Sequence, residues 1–294
     1  MAKQTTKRCH WVSQSYLRSF AADPDRRQKI WRFSKIEGKP ELKPIENVAV
    51  KFHLYSPMGA NGIRDDALEK KLAKLEKWFG DPIWAAVCND LPDLGWEPLR
   101  KMVALLVAVT YLRNPLWLEW TESFHRQVVN LISKEGRPPD RFSVNGNETP
   151  MTRESWAAFS NASQEERKAA WNSMVSEAAW MAKELLSLRW SVIFSEQPVF
   201  ITSDNPVMFM HPSLKFLGLS DPETIVMFPL SQTRILTMDH RHSEPDSCYY
   251  PLRHDPARTN GLIWRNAIDH MFSSRHPDII CAEMLADAER VREA

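Results

Sequence analysis

Apolar residues recur with two different periods along this chain, and the changes of period mark its elements. Lys29–Lys35 (KIWRFSK) alternates Ile30, Arg32 and Ser34 against Trp31 and Phe33, the spacing of a strand with one aromatic face. A polar stretch with Gly38 and two prolines follows, and 47–56 (NVAVKFHLYS) reads as another strand or a strand–helix junction. From Asp65 the period becomes helical: Leu68, Leu72, Leu75 and Phe79 share a face, and Gly80-Asp81-Pro82 stops that helix and starts the next. A long helix runs from Glu97 toward Lys134, interrupted at Asn114-Pro115, where proline removes a donor and frees a carbonyl.

Residues 136–150 carry Gly, Pro and Asn without periodicity and form the least ordered-looking segment. Helices resume at Thr152, and Ser163-Gln164-Glu165-Glu166 matches a capping box for a helix reaching Leu188. Strands then dominate. RWSVIFS (189–195) and VFITS (199–203) flank EQP like a hairpin, and TIVMFPL (224–230) meets RILTMD (234–239) across Ser231-Gln232-Thr233. Asp255-Pro256 starts a helix expected to run to about Phe272, and DIICAEM (278–284) with a charged tail closes the chain. The fold class expected is α+β, with one mixed or antiparallel sheet built from N- and C-terminal strands and a large central helical insertion. All 294 residues are read as a single domain: 1–60 an N-terminal helix and strands, 65–188 helical, 189–282 strand-rich with a C-terminal helix.

Composition narrows the function classes. A net charge of +1 supplies no global pull toward nucleic acid or membrane, so any such contact needs a local patch. Cys9, Cys88, Cys248 and Cys281 form no CxxC pair, which argues against a zinc ribbon or redox motif and fits a reducing cytoplasm. The basic N-terminus lacks the apolar region of a secretory signal, and the longest apolar run, Met102–Leu112, is too short to span a bilayer. The protein is accordingly expected to be cytoplasmic, without a membrane partner.

Candidate chemistry centres on FITSDNPV (200–207). Thr202, Ser203, Asp204 and Asn205 follow an apolar run and precede Pro206. They suit an Asx turn, and they equally suit an active-site edge in which Asp204 is a general base or the ligand of a divalent metal (Mg²⁺ or Mn²⁺), with Asn205 beside it. His10 and Gln14 lie one helical turn apart, a spacing that lets Gln14 fix the imidazole tautomer. Arg113 interrupts an apolar helix and needs a partner: either the carbonyl freed at Pro115, or an anion, with Asp204 the expected protein partner. RNAIDH (265–270) matches the R-x4-H pattern of metal-independent HEPN ribonucleases, with Arg265 on phosphate and His270 as acid or base. Five residues along one helix, however, set the two side chains about 140° apart. Arg234 and His240 fit a looser version of the same pattern, and His240 with His242 offers a weak zinc motif. Of the 12 tryptophans, Trp31, Trp84, Trp117, Trp171 and Trp180 read as core, while Trp156, Trp190 and Trp264 lie near arginines, as base-stacking surfaces do.

HWVSQSYLRSF (10–20), IWRF, YLRNP (111–115), FITSDNPV, FPLS (228–231) and a final helix holding Asn260 occur in that order. This set resembles the bacterial domain of unknown function 4238 family, from residue 10 to about 275, with Ser13 where members carry proline. The resemblance implies a fold unit and a list of polar positions, adding Tyr16 and Asn260 to the candidates, but no mechanism; its setting implies a role in stress response or defence. Two readings remain. One is a hydrolase of a phosphodiester in nucleic acid or a nucleotide: His10, Asp204 and Asn205 catalyse, and Gln14, Tyr16, Arg113, Thr202, Ser203 and Asn260 hold substrate. The other is a non-catalytic module for a small anionic ligand or a protein partner, a second copy included.

Overall fold

The computed structural model describes residues 8–23, 25–138, 140–144, 147–213 and 218–293. Strand β1 (Arg8–His10) leads into helix α1 (Gln14–Leu17) and a single 3-10 turn at Arg18–Phe20. Tyr16, Leu17 and Phe20 from these two turns are buried, which anchors an element far too short to hold on its own propensity. Strands β2 (Lys29–Ser34) and β3 (Pro40–Pro44) form a hairpin, with β3 within the polar stretch, and β4 (Val50–Phe52) returns antiparallel to β1.

The helices begin where local chemistry says they should. After α2 (Ala67–Glu76), α3 (Pro82–Asn89) starts with Asp81 accepting the Ile83 N–H at 2.8 Å. Helix α4 (Glu97–Leu112) ends before Asn114, whose side chain accepts from Leu116 N at 3.0 Å and caps α5 (Pro115–Glu135). The Asn-Pro interruption is thus a complete stop and restart, with proline at the position that needs no N–H. Gly136, at φ +80°, ends α5 in the left-handed region. Strands β5 (Arg141–Val144) and β6 (Asn147–Pro150) pair as a hairpin inside the segment expected to be least ordered; residues 139, 145 and 146 of it lie outside those described. Thr152 and Ser163 each close a capping box, on α6 (Arg153–Ser160) and α7 (Gln164–Ser176). The helix expected to continue to Leu188 breaks at Glu177-Ala178 and resumes as α8 (Ala179–Ser187), yet Trp171, Val175, Ala178, Met181 and Leu185 keep one buried stripe across the break.

The remaining elements are β7 (Arg189–Phe194), β8 (Thr202–Ser203), β9 (Met208–Met210), β10 (Ile225–Ser231), β11 (Arg234–Asp239), β12 (Cys248–Pro251), α9 (Pro256–Asn266), β13 (His270–Ser273) and α10 (Pro277–Glu293). The architecture is α+β, with the strands divided between two main sheets instead of the one expected. One has the order β12-β7-β11-β10-β9, antiparallel except where β12 runs parallel to β7; the other is β3-β2-β13-β8, antiparallel throughout. N- and C-terminal strands do meet, in the second sheet. The expected 189–203 hairpin does not form, because residues 195–201 carry the chain from one sheet to the other. Asn260 holds that crossing: its Oδ1 accepts from Ile201 N and its Nδ2 donates to the Val199 carbonyl, as a neighbouring strand would.

The main apolar core gathers α1, α3, α4, α7, α8 and the inner face of the five-stranded sheet; α4 alone buries Val103, Leu106, Val107 and Leu112. A second cluster, with Phe200, Ile201, Met208, Ile263, Met271 and Ile280, joins the two sheets to α9 and α10. At about 1.5–3 kcal/mol for each fully buried large side chain, these clusters dominate the fold's stabilisation. Trp84 and Trp171 are core as expected, but Trp180 is half exposed, and Trp190 is fully buried beneath the Arg100 guanidinium at 4.7 Å. Among the described residues no helix is long and apolar enough to cross a membrane.

Candidate functional site

The SDNP stretch is a buried knot that other motifs converge on. Asp204 is 1% exposed, and its carboxylate accepts three backbone N–H groups: Ile268 at 2.8 Å, Asp269 at 3.0 Å and His270 at 2.9 Å. Its carbonyl accepts from Trp11 Nε1 at 2.9 Å and from Asn114 Nδ2 at 3.1 Å. Asn205 and Asn266 bond each other's backbone reciprocally, at 3.0 and 2.8 Å, and Asn114 Nδ2 also reaches Asn205 Oδ1 at 3.1 Å. Asn205 N donates to Ser203 Oγ, the Asx/Ser-type local bond the turn reading calls for. HWVSQ, YLRNP and RNAIDH therefore all end on SDNP, which ties the two terminal regions to the head of α5. The Asp204 oxygens face backbone donors, where a metal ion would have to displace three charge-assisted bonds. They do not suit the metal or general-base role expected of them.

Arg113 is likewise placed differently. Its guanidinium, 2% exposed, pairs with Glu76 Oε1 at 2.8 Å and donates to the His10 carbonyl, while the Tyr55 ring lies 5.9 Å away. Glu76 and not Asp204 is its partner. Burial works against the Arg113 charge, and the Glu76 carboxylate overrides it, holding the guanidinium above its ordinary pKa. Beside it, burial pushes the Glu69 carboxyl up, although the Arg113 charge pulls it back.

His10 and Gln14 do meet, with Gln14 Nε2 3.4 Å from Nδ1, but not across the expected helical turn, because His10 ends β1 and α1 begins at Gln14. Nε2 lies 3.0 Å from the Glu46 carbonyl, which can only accept, so the neutral ring carries its proton on Nε2 and Nδ1 accepts from Gln14. Burial lowers the His10 pKa, favouring that neutral form.

Four further candidates are internal. Tyr16 has one O–H; it donates to the Pro229 carbonyl at 2.8 Å and accepts from Thr202 Oγ1 at 2.8 Å, with the ring stacked 5.1 Å from Phe228. Tyr16, Thr202, Ser203 and Asn260 are all buried. Arg265 and His270 do not share a helix: α9 stops at Asn266, because Asp204 captures the next turn's N–H groups and turns it into β13. His270 instead lies between carboxylates, Nδ1 3.5 Å from Asp204 and Nε2 3.3 Å from Asp269. Arg234 bonds the last carbonyls of α3, at Cys88 (2.8 Å) and Asn89 (2.6 Å), and His240 bonds the Leu219 carbonyl at 2.7 Å, so neither has a catalytic geometry. His211, Asp221 and Glu223 place ligand-type atoms within 4.8 Å of one another, but His211 is already bonded to Asp221 and Ser213.

The open, chemically equipped site lies next to these residues and is basic. A cavity of about 500 Å³ is lined by Arg18, Arg26 and Arg27 together with Ser15, Ser19, Gln28 and Thr233, against an apolar wall of Phe79, Trp84 and Ala85. A second cavity of about 450 Å³ shares Arg18, Arg27 and Gln28 and adds Gln14, Lys29 and Glu46. The guanidinium groups of Arg18, Arg26 and Arg27 make no hydrogen bond or ion pair among the described residues. The loop presenting two of them is tightly held: Asp23 Oδ1 accepts from Gln28 N at 3.0 Å and Lys29 N at 2.8 Å, and Arg27 N donates to the Asp23 carbonyl at 2.7 Å. These bonds keep the Asp23 carboxyl below its usual pKa, the bond from Lys29 N foremost. They also hold Arg27 at φ +51°, a left-handed conformation uncommon for a residue with a side chain.

The groove's chemistry is recognition chemistry. Guanidinium forks and hydroxyls match phosphate oxygens. Of its two carboxylates, Asp81 is spent as the cap of α3 and Glu46 lies in the second cavity. The Cys88 thiol at its wall is pushed up to about 12 by burial and is no thiolate near neutrality. Sequence reading passed over this site although its signal was there, in the Arg26-Arg27 doublet and in Arg18, one turn beyond Gln14.

No curated protein and no solved structure matches the chain. A family model described as "Protein of unknown function (DUF4238)" matches residues 8–277, from β1 to the first residue of α10. That span takes in the SDNP knot, the motifs bonded to it and the basic groove, and the chain belongs to this family.

Proposed function

We propose that the protein is a binding module for a phosphate-bearing anion, held in the groove between α1, residues 26–29 and the head of α3. One observation carries this reading: three arginines open on one cavity and, among the described residues, none of their guanidinium groups makes a hydrogen bond or ion pair, while the one carboxylate in that lining, Asp81, caps α3. Positive charges that line a cleft raise the local concentration of anions there. The phosphodiester-hydrolase reading loses its base and its metal ligand to the SDNP knot, where Asp204 is fully engaged. His10 and Gln14 remain adjacent to the groove, and their part in it is to position its rim. The ligand classes considered for the hydrolase, nucleic acid or nucleotide, carry over as classes of bound anion.

The test is ligand-linked stability. The thermal midpoint should rise with pyrophosphate or a nucleotide, relative to chloride at equal ionic strength, by the amount mass action gives for a native-state ligand. Arg26→Gln/Arg27→Gln should lose that rise while keeping its midpoint in chloride. Equal rises in wild type and variant would reflect general salt exclusion and would overturn the reading.

A further inference from the structure

The charges around the two cavities are not spread evenly, and their distribution specifies the shape of the ligand. The first cavity's own charged residues are Arg26 and Asp81, which cancel; the second's are Lys29 and Glu46, which cancel as well. The residues common to both, Arg18 and Arg27, carry two positive charges with no carboxylate among the shared lining, and Gln28 adds an amide beside them. Positive potential is therefore concentrated on the saddle between two chambers that are each electrically balanced.

Each chamber also has an apolar wall and neutral hydrogen-bonding groups. The first offers Trp84 and Ala85 with Ser15; the second offers Ile45 with Gln14. At about 500 and 450 Å³, each lies within the range of sites that enclose a small organic group. A terminal phosphate at the saddle would leave one chamber empty. An anion flanked on both sides by neutral, partly apolar groups would fill both.

We infer that the groove takes a dinucleoside phosphate: two nucleosides joined through a phosphate that sits on Arg18 and Arg27, one nucleoside in each chamber. This inference rests on the phosphate-binding reading above and adds the two-sided ligand. The strained Arg27 backbone supports it, since the loop bonds that hold φ at +51° fix this residue where both chambers meet.

Calorimetric titration at fixed ionic strength tests it, using a 3′,5′-dinucleoside monophosphate, the corresponding mononucleotide, inorganic phosphate and a single-stranded hexanucleotide. The dinucleoside monophosphate should bind at least tenfold more tightly than the mononucleotide, although the mononucleotide carries more charge. Arg18→Gln/Arg27→Gln should weaken all four probes. Lys29→Ala, in the second chamber alone, should weaken the dinucleoside monophosphate severalfold and leave inorganic phosphate unchanged. Mononucleotide binding as tight as the dinucleoside monophosphate would overturn the two-sided ligand while leaving phosphate binding standing. A hexanucleotide that binds tenfold tighter than the dinucleoside monophosphate would overturn the limit of two nucleosides. No binding of any probe would overturn the phosphate-binding reading itself.

Discussion

Replacing Asp204 by alanine separates a structural carboxylate from a catalytic one. The side chain is 1% exposed and receives N–H groups from Ile268, Asp269 and His270 at 2.8, 3.0 and 2.9 Å. A hydrogen bond to a charged group contributes about 1.5–3 kcal/mol, so three at face value give about 4.5–9 kcal/mol. The donating loop is only partly buried, and water can reach some of the abandoned donors, which brings the expected loss to about 4 kcal/mol. Against a total stability of about 5–15 kcal/mol that is a large fraction. Asp204→Asn keeps the volume but sets an amide N–H₂ against a backbone donor, and should recover less than half of the loss. Urea unfolding followed by circular dichroism measures both variants, with the slope against denaturant checked for constancy. Binding of pyrophosphate to whatever fraction stays folded should match wild type, because the groove's arginines lie elsewhere. A loss below about 1 kcal/mol for Asp204→Ala would refute the reasoning and return Asp204 to the list of candidate catalysts.

Other expectations follow from the same bonds. Arg113→Met leaves Glu76 without its partner and should cost about 3–5 kcal/mol, whereas Arg113→Met with Glu76→Leu should recover much of that; chemical denaturation of the two variants tests the pair. Tyr16→Phe removes a buried hydroxyl bonded at both lone pair and proton, and should cost about 1–3 kcal/mol by the same measurement. His10 titrates lower in the folded than in the unfolded chain, because burial disfavours its charge. Its contribution to stability is therefore complete above its ordinary value of 6.5 and is lost as pH falls from there through the lowered folded value. The difference in unfolding free energy between wild type and His10→Asn should shrink over that acid window; a difference that grows on acidification would reverse the assignment.

Features set by neighbours in sequence were legible. Asp81-Pro82, Asn114-Pro115, Thr152, Ser163 and Asp255-Pro256 each start a helix where the capping chemistry puts it, since a cap needs only three or four residues. The 225–239 hairpin was legible for the same reason. The pairing of VFITS was not, because a strand's partner is chosen by distant contacts, and here Asn260 supplies from α9 the bonds a neighbouring strand would give. Likewise α9 ends at Asn266 through a carboxylate 62 residues earlier, which no helical period can announce. Trp180 and Trp190 exchanged their expected places because the break at Glu177-Ala178 and the start of β7 decide which way each points. At the site, His10 and Gln14 do touch, but from the end of a strand to the start of a helix and not along one helix face, while Arg113 found Glu76 on α2 in place of Asp204. Arg18, Arg26 and Arg27 were visible as residues; what gives them meaning is that they share one cavity and, among the described residues, no hydrogen bond or ion pair engages their guanidinium groups, and only the folded chain displays that.

The claim that matters most is that those three arginines form a phosphate site, and one titration addresses it directly. Pyrophosphate is titrated calorimetrically into wild type and into Arg18→Gln/Arg26→Gln/Arg27→Gln, with both proteins first shown to unfold at the same temperature. Loss of about 2 kcal/mol or more of charge-assisted bonding corresponds to binding weakened by at least about 30-fold in the variant, and that is the result predicted here. Equal affinity in the two proteins, or no heat of binding in the wild type, would contradict it.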